Sequence, residues 1–209
     1  MSAAPLVIPP DPDTTDHFVY LNGDWDDYER LLAMRGESSV PRITYLEGLI
    51  ELMTPSKFHE IDKKRFARLL EAWAEESGVD LEGYGSWTLK RKRQKRGAEA
   101  DECYTVNRRA AGENDRPDIA IEVIWTSGGI DKLEVYRKLK VREVWFYERG
   151  SLKFFALRGE RGRESYVEIP RSEFLPQLPE NLILAAMSDA TQSQTAAVRA
   201  LRAQLRSAS

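Results

Sequence analysis

Apolar residues recur along this chain with helical and strand periods in turn, and the switches between them predict most of its elements. Trp25, Tyr28 and Leu32 fall at i, i+3 and i+7 between Asp24, a natural N-cap, and Gly36, a natural stop, which predicts a helix. Residues 42–46 and 49–54 alternate apolar and polar about Glu47-Gly48 and predict a β-hairpin. Ser56 opens a second helix whose buried face is Phe66, Leu69, Leu70 and Trp73, ended by Ser77-Gly78. Residues 80–89, with two glycines, and 101–106 read as strands, and 107–115 as a polar loop. Residues 119–125 are strongly β-branched and read as a central strand. A short helix over 133–140 and a strand over 143–147 follow, so strand, helix and strand suggest a right-handed parallel crossover. A second hairpin spans 152–157 and 166–169, and Val198, Leu201 and Leu205 mark a C-terminal helix. The expected organisation is a Pro- and Asp-rich mobile arm over 1–16, one α/β domain over 17–180 and a helical tail over 181–209.

Two residues do not suit the elements that carry them. Along the strand at 119–125, Ile119, Ile121 and Val123 share one face, while Asp118, Ala120, Glu122 and Ile124 share the other. Glu122 is therefore a carboxylate on a buried sheet face. It requires a cation, either a structural ion-pair partner or a metal. After a Ser-Gly-Gly turn, Lys132 lies on the inward stripe with Val135, Tyr136 and Leu139, in the first turn, where the helix dipole disfavours positive charge. Lys132 either snorkels past the edge or is held by something anionic. Asp101 begins the strand before these and shares a face with Cys103 and Thr105. Two carboxylates on neighbouring strands make an oxygen-rich pocket suited to Mg²⁺, with Mn²⁺ as a substitute, and a lysine beside it can orient or deprotonate the attacking water.

Two further features bear on that chemistry. His59 sits one turn inside the second helix on the buried stripe, and reads either as a half-buried structural histidine or as a site residue. Lys90, Arg91, Lys92, Arg93, Lys95 and Arg96 put six basic residues in a stretch of seven, either a solvated loop or an arm that contacts nucleic-acid phosphates.

Composition narrows the classes. A hydrophobic fraction of 42% and a charged fraction of 31% are those of a soluble globular protein, and the formal net charge of −3 argues against a general nucleic-acid coat protein. No apolar run is long enough for a membrane helix, and the first residues lack the pattern of a signal peptide. The single cysteine, Cys103, excludes an internal disulfide and suggests a cytoplasmic location, and with two widely spaced histidines it cannot close a zinc site.

GAEADECY, RPDIAIEV, the Ser-Gly-Gly turn, DKLEVYRKLKVREVWFYE and ELMTPSKFHE together resemble the Uma-two family of restriction-endonuclease-like proteins, within the PD-(D/E)XK nuclease superfamily, over roughly residues 40–170. The resemblance implies a restriction-endonuclease-like fold, a mixed central β-sheet flanked by α-helices with peripheral hairpins. It maps the superfamily aspartate to Asp101, the glutamate to Glu122 and a further metal ligand to the Val123 carbonyl. The lysine usual two residues after the glutamate is replaced by Ile124, and Lys132 matches the lysine that such members carry on the following helix. His59 matches a helix-entry histidine, whereas Ala100 stands where a proline is usual. The expected activity is Mg²⁺-dependent hydrolysis of DNA by a homodimer without an organic cofactor. The competing expectations are a catalytically inactive nucleic-acid-binding module and a structural protein with a buried Glu122–Lys132 pair.

Overall fold

The protein's structure, a computed structural model, describes residues 14–208 apart from 111, 113, 114, 126–128 and 161. Its elements run β1 (His17–Asn22), α1 (Trp25–Arg35), β2 (Arg42–Leu46), β3 (Leu49–Thr54), α2 (Lys57–Ser77), β4 (Leu81–Gly83) and β5 (Thr88–Arg91), then a 3₁₀ turn (Lys92–Gln94). They continue with β6 (Arg96–Glu99), β7 (Glu102–Val106), β8 (Ile119–Ile124), α3 (Lys132–Leu139), β9 (Glu143–Glu148), β10 (Ser151–Arg158), β11 (Ser165–Ile169), α4 (Glu180–Ser188) and α5 (Gln194–Ala208).

Local chemistry sets the helix ends. The Asp24 carboxylate accepts the Asp26 and Asp27 N–H groups while Asp27 returns a bond to the Asp24 N–H, a capping box. Ser56 Oγ accepts the His59 N–H, which fixes the first turn of α2, and Gly78 ends that helix in the left-handed region at φ 67°. Asp131 caps α3 by accepting the Glu134 N–H.

The strands form two sheets. A six-stranded mixed sheet has the order β11-β10-β9-β8-β7-β4, with β8 and β9 parallel and joined through α3, as the strand–helix–strand pattern predicts. A five-stranded antiparallel sheet has the order β1-β3-β2-β6-β5. The hairpin β2–β3, expected at the periphery, is the middle of this second sheet. The single strand expected over 80–89 is two strands in different sheets, because Gly83 and Gly85 let the chain turn between them.

Each face of β8 packs on a different layer. Ile119, Ile121 and Val123 meet Phe66, Leu69, Leu70 and Trp73 of α2. On the other side, Ala120 joins Val135, Tyr136 and Leu139 of α3, Leu89 and Ala98 of the second sheet, and Ala100 just after it. In the second sheet Ile43, Tyr45 and Ile50 pack with Trp25 and Tyr28 of α1. Strand alternation then sends Arg42, Thr44 and Glu51 to the opposite face, with Thr44 directly across from Glu51.

The C-terminal helices pack into the main core. Ile183, Met187, Ala197 and Leu201 are buried against α2. Arg65 of α2 donates to the carbonyls of Ala186, Met187, Asp189 and Gln192, and so satisfies the end of α4. Residues 1–13 of the expected mobile arm lie outside the described residues, but Asp16, also assigned to that arm, is buried. No described helix is long and apolar enough to cross a membrane.

Replacing Arg65 by Met keeps much of the stem but removes the donors to four carbonyls. We expect a loss of about 2–3 kcal/mol in urea denaturation, the scale of hydrogen bonds to a charged group. A midpoint equal to wild type would show that these bonds do not hold α4 to α2.

Candidate functional site

Asp101 lies in the bend between β6 and β7, 1% exposed. Its Oδ2 accepts the Val123 N–H at 2.6 Å. Its Oδ1 accepts from Arg42 Nη1 and lies 3.1 Å from His59 Nε2. The other histidine nitrogen, Nδ1, is 3.1 Å from Asp16 Oδ2. Burial alone would raise the Asp101 pKa, but the charges of Arg42 and His59 and the bonds from His59 and Val123 together hold it well below the usual carboxylate range. Burial would lower the His59 pKa, and the Asp101 charge with bonds to Asp101 and Asp16 overrides it, to about 9. His59 is therefore a cation at neutral pH. Its two ring nitrogens face Asp101 and Asp16.

Glu122 is buried on the face of β8 that looks toward α3, and its Oε1 accepts from the Tyr136 hydroxyl. Burial raises its pKa, the nearby Asp101 charge adds to this, and Lys132, Tyr136 and Arg42 offset only part, leaving it at about 7. The Glu122–Lys132 ion pair that the sequence suggests does not form directly. Lys132 Nζ donates to Thr44 Oγ1 at 2.9 Å and lies 3.6 Å from Glu51 Oε1. Burial would lower the Lys132 pKa, but the Glu122, Glu51 and Asp101 charges raise it, so the amine stays protonated.

Glu51 also fixes where α3 begins. Its Oε2 accepts the Ile130 N–H at 2.9 Å. Gly129, at φ +111°, passes so close to this oxygen that a Cβ there would collide with it. Ser127 and Gly128, the rest of the Ser-Gly-Gly turn, lie outside the described residues.

Glu51, Glu122 and Lys132 share a cavity of about 320 Å³ with Asp16, Asp131, Glu148 and the Val123 and Ile124 positions of β8. Phe18, Met53, Ile130 and Phe146 give it apolar walls. The donors suit a hard cation in kind, being carboxylate oxygens and a backbone carbonyl. Asp101 Oδ1 is taken by Arg42 and His59, and Oδ2 by one N–H, which leaves one acceptor direction on Oδ2. Among the described residues no three His, Cys, Asp or Glu side chains converge as a preformed metal cage. Asp101 Oδ2 and Glu122 are the number of carboxylates taken by an ion that keeps several waters, as Mg²⁺ does.

Other acids near these positions have structural partners. Asp118 is held by Arg108 and the Val106 N–H, and Glu99 by Arg35, Thr88 and the Ile43 N–H. The basic run is not a free loop but the β5–β6 hairpin. Arg96 is buried between Glu47 and Glu134, at 3.0 and 3.1 Å, which removes it from the surface. Lys90 and Lys92 are exposed and pair with Glu29 and Asp26 of α1. Arg93 and Lys95 are exposed at the tip, and Arg91 is half-buried. Lys95 at the tip lies six residues from Asp101, roughly 20 Å of extended chain at the usual strand rise.

Sequence reasoning missed Arg42, Thr44, Glu51 and Tyr136. The signal for the first three was present, since polar residues alternate along both arms of a hairpin whose other face is apolar. They were missed because that face reads as solvent-exposed unless a second sheet covers it.

The Glu122 pKa predicts a pH dependence of stability. Between the ordinary value of 4.5 and about 7 the unfolded chain ionises first, so the native state binds more protons and stability falls as pH rises through this window. Glu122→Gln removes this titration. Urea denaturation should find variant and wild type similar near pH 5 and the variant more stable near pH 8, by on the order of 1–3 kcal/mol. A difference that does not change with pH would show that Glu122 is not raised.

Comparison with known proteins places this geometry in a family. The model of the Uma2 family, described as "Putative restriction endonuclease", matches residues 25–193. Among solved structures, a chain described as a putative nuclease belonging to DUF820, from Anabaena variabilis ATCC 29413, is similar at 14% identity and a TM-score of 0.43, covering 83% of this chain and 96% of that one. No curated protein matches the chain. The family match takes in Asp101, Glu122, Lys132 and the whole β2–β3 hairpin that supports them, over well more than half of the sequence, and the chain belongs to the Uma2 family.

Proposed function

We propose that this protein is a Mg²⁺-dependent DNA endonuclease. The observation that carries the reading is the meeting of Glu122 and a protonated Lys132 in one cavity also lined by Val123, whose N–H is bound by the buried Asp101. Mg²⁺, or Mn²⁺ in its place, would be held by Asp101, Glu122 and the Val123 carbonyl, and when bound supplies positive charge that offsets that of the phosphate. Carboxylates outnumber the single lysine around this cavity, so a phosphate is repelled until a cation is present.

The chain's own residues have distinct parts. Lys132 is charged, so it orients the attacking water and stabilises developing negative charge rather than taking a proton. His59 and Arg42 are positioning residues that hold Asp101. Tyr136 fixes the Glu122 carboxylate through one oxygen. The exposed basic residues of the β5–β6 hairpin, Lys90, Lys92, Arg93 and Lys95, contact backbone phosphates away from the cut, and a homodimer would present two sites to the two strands. The alternative, an inactive binding module, is favoured by one observation: both Asp101 oxygens already accept protein donors.

Plasmid cleavage with Mg²⁺ and with Mn²⁺ separates these readings. Wild type should nick or linearise the plasmid, and Asp101→Ala, Glu122→Ala and Lys132→Ala should each lose about 10²-fold or more in rate. Lys132→Ala cleaving as fast as wild type would reject the mechanism, and no cleavage by wild type would favour the binding module. Arg93→Gln with Lys95→Gln should weaken DNA binding across sequences and lower the salt slope by about one for each phosphate no longer neutralised. An unchanged slope would place the phosphate-binding residues elsewhere.

A further inference from the structure

The cavity's shape bears on which nucleic acid it accepts, an inference that rests on the nuclease reading above. Glu122 and Glu51 are only 5% and 1% exposed and line a cavity walled by Phe18, Met53, Ile130 and Phe146. A phosphate on the outside of a regular duplex is fixed to stacked, paired bases and cannot descend into a recess of this kind. A nucleotide that has left the stack can.

An aromatic pair with no part in the metal–water chemistry is linked to this recess through the chain. Phe58 and Trp125 stack with centroids 5.7 Å apart and planes 17° apart, yet they are 41% and 38% exposed. Both rings belong to segments of the site. Trp125 follows Ile124, which lines the cavity at the end of the strand carrying Glu122, and Phe58 precedes His59 in the first turn of α2. The indole Nε1–H donates to the Thr14 carbonyl at 2.7 Å, which orients the ring through its edge. Trp125 is two residues beyond Val123, roughly 7 Å along the chain, about the reach of a base from its own phosphate.

We propose that Phe58 and Trp125 form a stacking platform for an unpaired base, and that the preferred substrate is a nucleic-acid strand whose nucleotide at the cut is single-stranded or extruded. Base–aromatic stacking of this kind tolerates any sequence, because every base has a π face. The recess admits the phosphate, the platform holds the adjoining base outside it, and a perfectly paired duplex satisfies neither.

The test measures binding by fluorescence anisotropy in EDTA, where cleavage does not interfere. The probes are a short single strand, the same strand as a perfect duplex, and that duplex with one unpaired nucleotide. Deoxy and ribo versions are run in parallel, and the criteria apply to whichever binds tighter. The single strand and the bulged duplex should bind at least about 10-fold tighter than the perfect duplex. Trp125→Ala and Phe58→Ala should weaken single-strand binding about 5- to 100-fold, with Trp125→Phe close to wild type and perfect-duplex binding unchanged. Both rings are exposed, so these variants should fold, which circular dichroism checks. A perfect duplex binding as tightly as the single strand, or Trp125→Ala binding the strand like wild type, would overturn the proposal. Because the binding assay contains no metal, it is read apart from cleavage: selective strand binding by a protein that, with Mg²⁺ or Mn²⁺, cuts neither the plasmid nor the single strand and bulged duplex would reject cleavage alone, and cleavage without this selectivity would reject the platform alone.

Discussion

A buried carboxylate must be matched by donors, and Asp101 is the one on which the site depends. Its bonds reach Arg42 of β2, His59 of α2 and the Val123 N–H of β8, and through His59 they extend to Asp16 before β1. Four segments distant in sequence are thereby fixed to one side chain. Breaking a buried pair by removing one partner costs roughly 3–5 kcal/mol, because the other charge is left uncompensated. Removing Asp101 would strand two cations, so a variant there mixes loss of structure with loss of chemistry. Glu122 and Lys132 are the cleaner probes of chemistry. The raised Glu122 pKa indicates a site that costs stability, as sites shaped for function often do.

The second sheet explains how the amine of a lysine on α3 is held in the cavity that Glu122 of β8 also lines. Thr44 and Glu51, facing each other across β2 and β3, hold the Lys132 amine, while the other Glu51 oxygen fixes the Ile130 N–H at the entry to α3. Gly129 allows that approach, since a side chain there would strike the carboxylate.

Local signals make much of this legible in the sequence. Asp24, Gly36, Ser56 and Gly78 bound their helices where capping chemistry places them, and the β2–β3 hairpin and the β8–α3–β9 crossover follow their hydrophobic periods. The oddities of Glu122 and Lys132 are also readable, because each sits on a buried stripe. What is not readable depends on contacts between remote segments. Residues 17–22 form an edge strand only by pairing with β3, and residues 96–99 become a strand only between β2 and β5. Arg96 looks like one more cation in a basic run, and only Glu47 and Glu134, brought in by the fold, draw it inside. Closeness in sequence suggests Glu122 as the partner of Lys132, whereas its nearest carboxylate is Glu51, some eighty residues away.

The account turns on whether the acids and the Val123 carbonyl gather around a cation once one is offered. Crystals grown with Mn²⁺ and measured at its absorption edge answer this directly. An anomalous peak within coordination distance of Asp101 Oδ2, Glu122 and the Val123 carbonyl oxygen is the predicted result. No peak there, with Arg42 and His59 still holding Asp101 and the crystals saturated with Mn²⁺, would contradict it.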